Sequence, residues 1–256
     1  MSSSAALDAS GVRPHADVPS RLLVTVRTGD PDLPGHRLYR HVGFLACRAD
    51  GYEFVYASRD AFRPLLGFPD LQARYTSDEI FPLFAQRIMN AKRPDRARYL
   101  EALDLDEQSE PWEVLVRSGG RRAGDTIEVL PEPVIGPDGA TSCVFLVHGV
   151  RHCGPQASAE ICGLSAGDSL ALRWEEDNPV NPRAVLVLNN SGTELGYVPD
   201  PLVEYVQTVM TASEARLSVV RANGPEVGSH LRLLVRLDGF VPVGYQPFPA
   251  PVNPGP

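Results

Sequence analysis

The chain has 256 residues, 43% of them hydrophobic, and a formal net charge of −8. The apolar fraction suffices for a buried core in one or two domains, while no apolar run nears the ~18 residues of a membrane-spanning helix. The negative balance argues against sequence-blind duplex binding, which needs several phosphate-neutralising cations.

In chain order, residues 1–20 are small and polar and carry Pro14 and Pro19. They lack the basic start and apolar stretch of a signal peptide, so a disordered leader and a cytoplasmic location are expected. The first region, 21–133, opens with strands. Residues 21–27 (RLLVTVR) alternate moderately, and 38–47 pairs with 52–57 across the Asp50-Gly51 turn, a strong hairpin signal. Helical signals follow. Thr76-Ser77-Asp78-Glu79 has the form of a capping box, and Ile80, Phe84 and Ile88 recur at i, i+4. Pro94 opens a second short helix and Pro111 a third, which Gly119-Gly120 stops. Residues 126–130 return to strand. Pro131, Pro133 and Pro137-Asp138-Gly139 then form a turn-rich joint, read as a domain boundary.

The second region, 142–241, reads as six strands: 143–151, 168–174, 184–188, 194–198, 216–221 and 231–237. One helix begins at Pro199 or Pro201, with Leu202, Val203, Val206 and Met210 on its inner face. Six short strands plus one helix describe a small barrel. Residues 247–256 form a Pro-rich tail that cannot pack. The expected fold class is α+β: a small β-plus-helix domain, then an OB-like six-stranded barrel with one helix.

Several residues invite chemistry. His148-x3-His152-Cys153-x8-Cys162 could suggest zinc, but tetrahedral sites show tighter paired spacing. On one predicted strand, His148 and His152 would share a face yet sit more than ~12 Å apart. No metal or cofactor is therefore expected. No GxxxxGK[ST], GxSxG or HExxH motif occurs, so the chain reads as non-catalytic. Arg117, Arg121 and Arg122 cluster around Gly119-Gly120; such a cluster could meet phosphate, though a solvated loop is the commoner reading. Arg151 could bind phosphate or pair with Glu175 or Glu176. Asn178-Pro179 could contact a ligand or simply start a turn.

Three stretches of the second region resemble the HIRAN family. They are Val147-His148-Gly149-Val150-Arg151-His152, then Asp177-Asn178-Pro179-Val180-Asn181-Pro182-Arg183-Ala184, then Leu195-Gly196-Tyr197-Val198-Pro199. The resemblance implies an OB-related barrel that captures the 3′ end of single-stranded DNA. By it, Arg151 takes the phosphate-binding place and Asn178 the base-reading place. His152 and Val180 stand where stacking aromatics are usual, and Asn181 replaces a hydroxyl-binding aspartate. Losing one aromatic platform would cost ~1–3 kcal/mol. The implied partners are a single-stranded DNA end and an enzyme such as a helicase or nuclease, linked to DNA repair or processing, with no membrane. A protein–protein adaptor built on a repurposed barrel is the alternative, and a hydrolase a remote one. Glu175-Glu176-Asp177 beside the pocket weighs against DNA.

The first region resembles the N-terminal subdomain of HipA-type proteins through Val42-Gly43-Phe44-Leu45, Tyr52-Glu53-Phe54-Val55-Tyr56 and Tyr75 with Phe81-Pro82-Leu83-Phe84. The whole layout is similar to bacterial proteins that carry a terminal HIRAN module.

Overall fold

A computed structural model describes residues 18–29, 37–57, 63–122, 124–179 and 181–248. The expected leader (save 18–20), the tail beyond 248 and Val180 lie outside the described residues. The chain is α+β, with two antiparallel sheets and short helices. The first sheet holds β1 (Arg21–Gly29), β2 (Arg37–Arg48), β3 (Gly51–Tyr56), β4 (Arg74–Ser77) and β5 (Ile127–Pro131) in the order β4-β3-β2-β1-β5. The Asp50-Gly51 hairpin forms as predicted, with Arg48 opposite Gly51. Helices α1 (Pro82–Ala85), α2 (Arg96–Ala102) and α3 (Pro111–Ser118) lie between β4 and β5.

The expected capping box at Thr76 is corrected. Residues 74–77 pair with β3 as a strand, and the Glu79 amide donates to Ser77 Oγ at 3.2 Å in a local turn. Reciprocal capping falls instead at α3, where the Glu110 amide donates to the Glu113 carboxylate at 2.9 Å. That serves a donor the first helical turn leaves without an intrahelical partner.

The second sheet holds β6 (Val134–Ile135), β7 (Ala140–Leu146), β8 (Ser169–Trp174), β9 (Val185–Leu188), β10 (Glu194–Tyr197), β11 (Arg216–Ala222) and β12 (Leu233–Phe240), ordered β10-β9-β8-β11-β12-β7-β6. This is an open order, bridged at one point. Just past β7, His148 and Tyr197 of β10 exchange backbone hydrogen bonds of 2.9 and 2.8 Å. Two helices accompany the sheet rather than one: α4 (Gly154–Gly163) and α5 (Val203–Ala212). Helix α4 went unread because Gly154-Pro155 and Gly163 at its ends look like loop punctuation.

The two sheets share buried apolar surface. Leu23, Phe44, Val55 and Leu130 of the first join Phe145, Val187 and Val235 of the second, with Val147 just past β7 and Tyr205 of α5, in one cluster. The opposite face of the first sheet, with Leu22, Val24, Leu45 and Phe54, packs on Phe84, Trp112 and Leu115. Strand β1 is thus covered on both faces. Its buried run at Leu22–Thr25 explains why residues 21–27 alternate only moderately: alternation requires one wet face.

Candidate functional site

The first HIRAN-like stretch, Val147 to His152, is where the structure departs most from the expected 143–151 strand. Strand β7 stops at Leu146, and Val150–His152 form one 3-10 turn. Gly149 enables the bend. Its φ of +70° suits glycine, and a Cβ there would sit 2.9 Å from the Tyr197 ring. Val150 is buried, while Arg151 and His152 are exposed. The His148–His152 pair therefore does not lie on one strand face. The thiols also diverge: Cys153 Sγ faces the Gly149 carbonyl and Cys162 Sγ the Ser158 carbonyl. Among the described residues no His, Cys, Asp or Glu group could hold a metal ion.

The turn faces a cleft of about 670 Å³ between the sheets. One wall carries His148, Gly149, Val150, Arg151 and His152, with Ser229 and His230 of the neighbouring 3-10 turn. The other carries Arg27, Tyr39, Arg121, Arg122 and residues 124–128. Strand register builds this second wall. Arg27 on β1 stands directly opposite Tyr39 on β2, and the Arg27 amide donates to the Thr126 carbonyl at 2.8 Å, which ties the 124–127 loop to the sheet edge.

The loop is also held from beneath. The Arg87 guanidinium is nearly inaccessible, with 1% side-chain exposure. Its Nε donates to Leu83 O at 3.0 Å, its Nη1 to Gly120 O at 3.2 Å and Ile127 O at 3.3 Å, and its Nη2 to the Asp125 carboxylate. A planar fork of donors suits this role better than an ammonium. Glu128, also buried, accepts from His148 Nε2 at 2.9 Å and lies 3.7 Å from Arg121. Burial works to raise the Glu128 carboxyl, but His148, Arg121 and Arg27 outweigh it and hold the carboxyl below its ordinary range. Both carboxylates lining the cleft are therefore already neutralised by protein cations. Among the described residues, Arg27, Arg122 and Arg151 form no salt bridge with a carboxylate. The cleft is cationic in a chain whose net charge is −8.

The 177–184 loop sits apart from this lining. The Asn178 amide donates to Glu175 at 2.5 Å, and its oxygen accepts the Asn181 N–H at 2.9 Å. Asn181 donates from its side chain to Asp200 and accepts the Arg183 N–H at 2.9 Å. Both side chains thus build the loop, and neither lines the cleft that holds Arg151 and His152. The loop reaches the turn indirectly, through Glu175. Burial and a hydrogen bond to Glu175 push the Tyr197 phenol up to about 12, and the same Tyr197 ring underlies Gly149. Sequence reasoning missed Arg27 and Tyr39, whose approach depends on register, and it read Arg121 and Arg122 as solvated loop. Their spacing around Gly119-Gly120 was the one available signal.

No curated protein matches the chain. Among solved structures, it is similar to the crystal structure of the HIRAN domain of human HLTF, with 16% identity over 40% of this chain and 76% of that one, at a TM-score of 0.29. It is also similar to the crystal structure of a protein from Lactobacillus plantarum, with 21% identity over 39% of this chain and 99% of that one, at a TM-score of 0.31. None of these findings supports the HipA-type resemblance. Its signature residues Phe44, Leu45, Phe54 and Val55 are core positions of paired strands, which any buried hairpin would fill with similar side chains. The family model described as the HIRAN domain matches residues 141–238, the part of the chain that forms the second sheet from β7 onward.

Proposed function

We propose that the protein is a non-catalytic binder of nucleic acid that takes single-stranded DNA ends, the 3′ end in particular, at the turn bearing Arg151 and His152. The observation that carries this reading is the cleft: an acidic chain gathers four arginines around one hollow, one of them at the phosphate-binding place of the HIRAN resemblance. A guanidinium grips phosphate through two parallel N–H donors, and His152 offers a ring for a base. A role in DNA repair or processing beside a helicase or nuclease, in the cytoplasm, belongs to the same proposal.

The test is binding of short labelled oligonucleotides with a free or blocked 3′ hydroxyl. Wild-type protein binds the free end more tightly, with affinity falling as salt rises. Arg151→Ala weakens binding at least about ten-fold, the loss of one charge-assisted contact. A specific observation favours a second reading, a protein–protein adaptor: Asn178 and Asn181 use their amides within the loop. No oligonucleotide binding at low salt would select it.

A further inference from the structure

The barrel turn supplies only one of the four arginines in the cleft. We propose that the first half of the chain extends the binding track, with Arg27, Arg121 and Arg122 holding backbone phosphates of the nucleotides that precede the captured end. This rests on the nucleic-acid reading and deepens it: the ligand is a single strand several nucleotides long rather than a terminal nucleotide alone.

Three observations carry it. First, the cleft has two walls from different sheets, and its volume of about 670 Å³ falls in the range of pockets that enclose whole ligands. Second, the local carboxylates are too few for these arginines. Asp125 is held by Arg87 from below, and Glu128 is shared between His148 at 2.9 Å and Arg121 at 3.7 Å. Arg122 donates to the neutral Gln86 carbonyl at 2.9 Å, and among the described residues neither it nor Arg27 forms a salt bridge. Guanidinium groups that outnumber their acids repel one another, and a polyanion relieves that repulsion. Third, the wall is anchored on both sides of these arginines. The Arg87 fork holds Gly120, just before Arg121 and Arg122, and Asp125 and Ile127 beyond them, and anchored backbone lowers the entropy cost of binding.

The experiment uses the full chain and oligodeoxynucleotides with a free 3′ hydroxyl, from about two to about eight nucleotides long, which brackets the lower end, about four nucleotides, of single-strand site sizes on OB folds. Wild-type affinity rises with length. In R121A/R122A this rise flattens, with ten-fold or greater loss on the longest strand and much less on the shortest. The slope of log affinity against log salt falls by about 0.7 per lost contact. Arg122 is exposed, so Arg122→Gln is the second variant. It keeps the fold, checked by its melting temperature, and shows a smaller loss in the same direction. If short strands bind through Arg151 while R121A/R122A equals wild type at every length and salt, the extended track is wrong and the end-binding reading stands. If wild type binds no strand at low salt, both fail.

Discussion

His41 shows how far a single residue's chemistry follows from its packing. Its ring stands edge-on to Phe44 at 4.5 Å and to Phe248 at 5.7 Å, and its Nε2 donates to the Gly43 carbonyl at 2.9 Å. Burial drives its pKa down from 6.5 to about 4, with nearby Arg21 acting the same way and the Gly43 contact opposing. The folded state therefore takes up a proton less readily than the unfolded chain. Stability is full above the unfolded pKa, falls as pH drops from about 6.5 to about 4, and levels off below that, a total of about 3 kcal/mol. Urea midpoints at about pH 7 and about pH 4.5 measure the drop, and His41→Phe removes most of it. The lowered pKa of Glu128 acts at a different point: its stabilisation is lost only as pH falls below the ordinary carboxylate range. None of this was visible in the sequence, where His41 is one polar residue in a strand. Arg151 was visible because a motif surrounds it. Arg27 was not, because its meaning comes from the strand opposite.

At the scale of elements, the second sheet depends on one close approach. Gly196 has φ +153°, and a Cβ there would meet the His148 carbonyl at 2.5 Å and Val147 Cγ1 at 2.5 Å. This is the point where β10 meets the residues after β7, directly behind the Arg151 turn. Gly196→Ala is expected to destabilise the protein by about 3 kcal/mol, combining a strained backbone with overpacking. Chemical denaturation reads the loss. Hydrogen exchange at the His148 and Tyr197 amides locates it, and unchanged protection there would contradict the assignment. Hairpins at Asp-Gly and helix starts at proline were legible in the sequence, because these signals act over a few residues. Strand β4 and helix α4 were not, since neither carries a strong local signal. β4 exists because β3 offers it an edge. α4 buries Ala157 and Ile161, and Ile161 joins the core of the second sheet.

Across the whole molecule, the two regions distinguished by sequence meet over a common core. Leu23, Phe44, Val55 and Leu130 pack with barrel residues, and Leu100, Leu103 and Val114 pack with Leu146, Leu231 and Leu234. Fully burying such a side chain contributes about 1.5–3 kcal/mol, so separating the sheets would forfeit a large share of a typical domain's stability. We propose that both unfold together. Calorimetry then gives a single transition whose van't Hoff and calorimetric enthalpies agree, and two resolved transitions would mean that the sheets are independent folding units.

The sequence by itself determined the strand-rich second half, the turns and the α+β class, because periodicity and turn residues are encoded over short stretches of chain. Only the tertiary structure decided that β1 is buried on both faces, that Asn178 and Asn181 turn their amides inward on the loop, and that Arg27, Arg121 and Arg122 face Arg151. The burial of β1 and the meeting of Arg27 with Arg151 rest on which strands pair and which sheets pack, and they join residues more than a hundred positions apart.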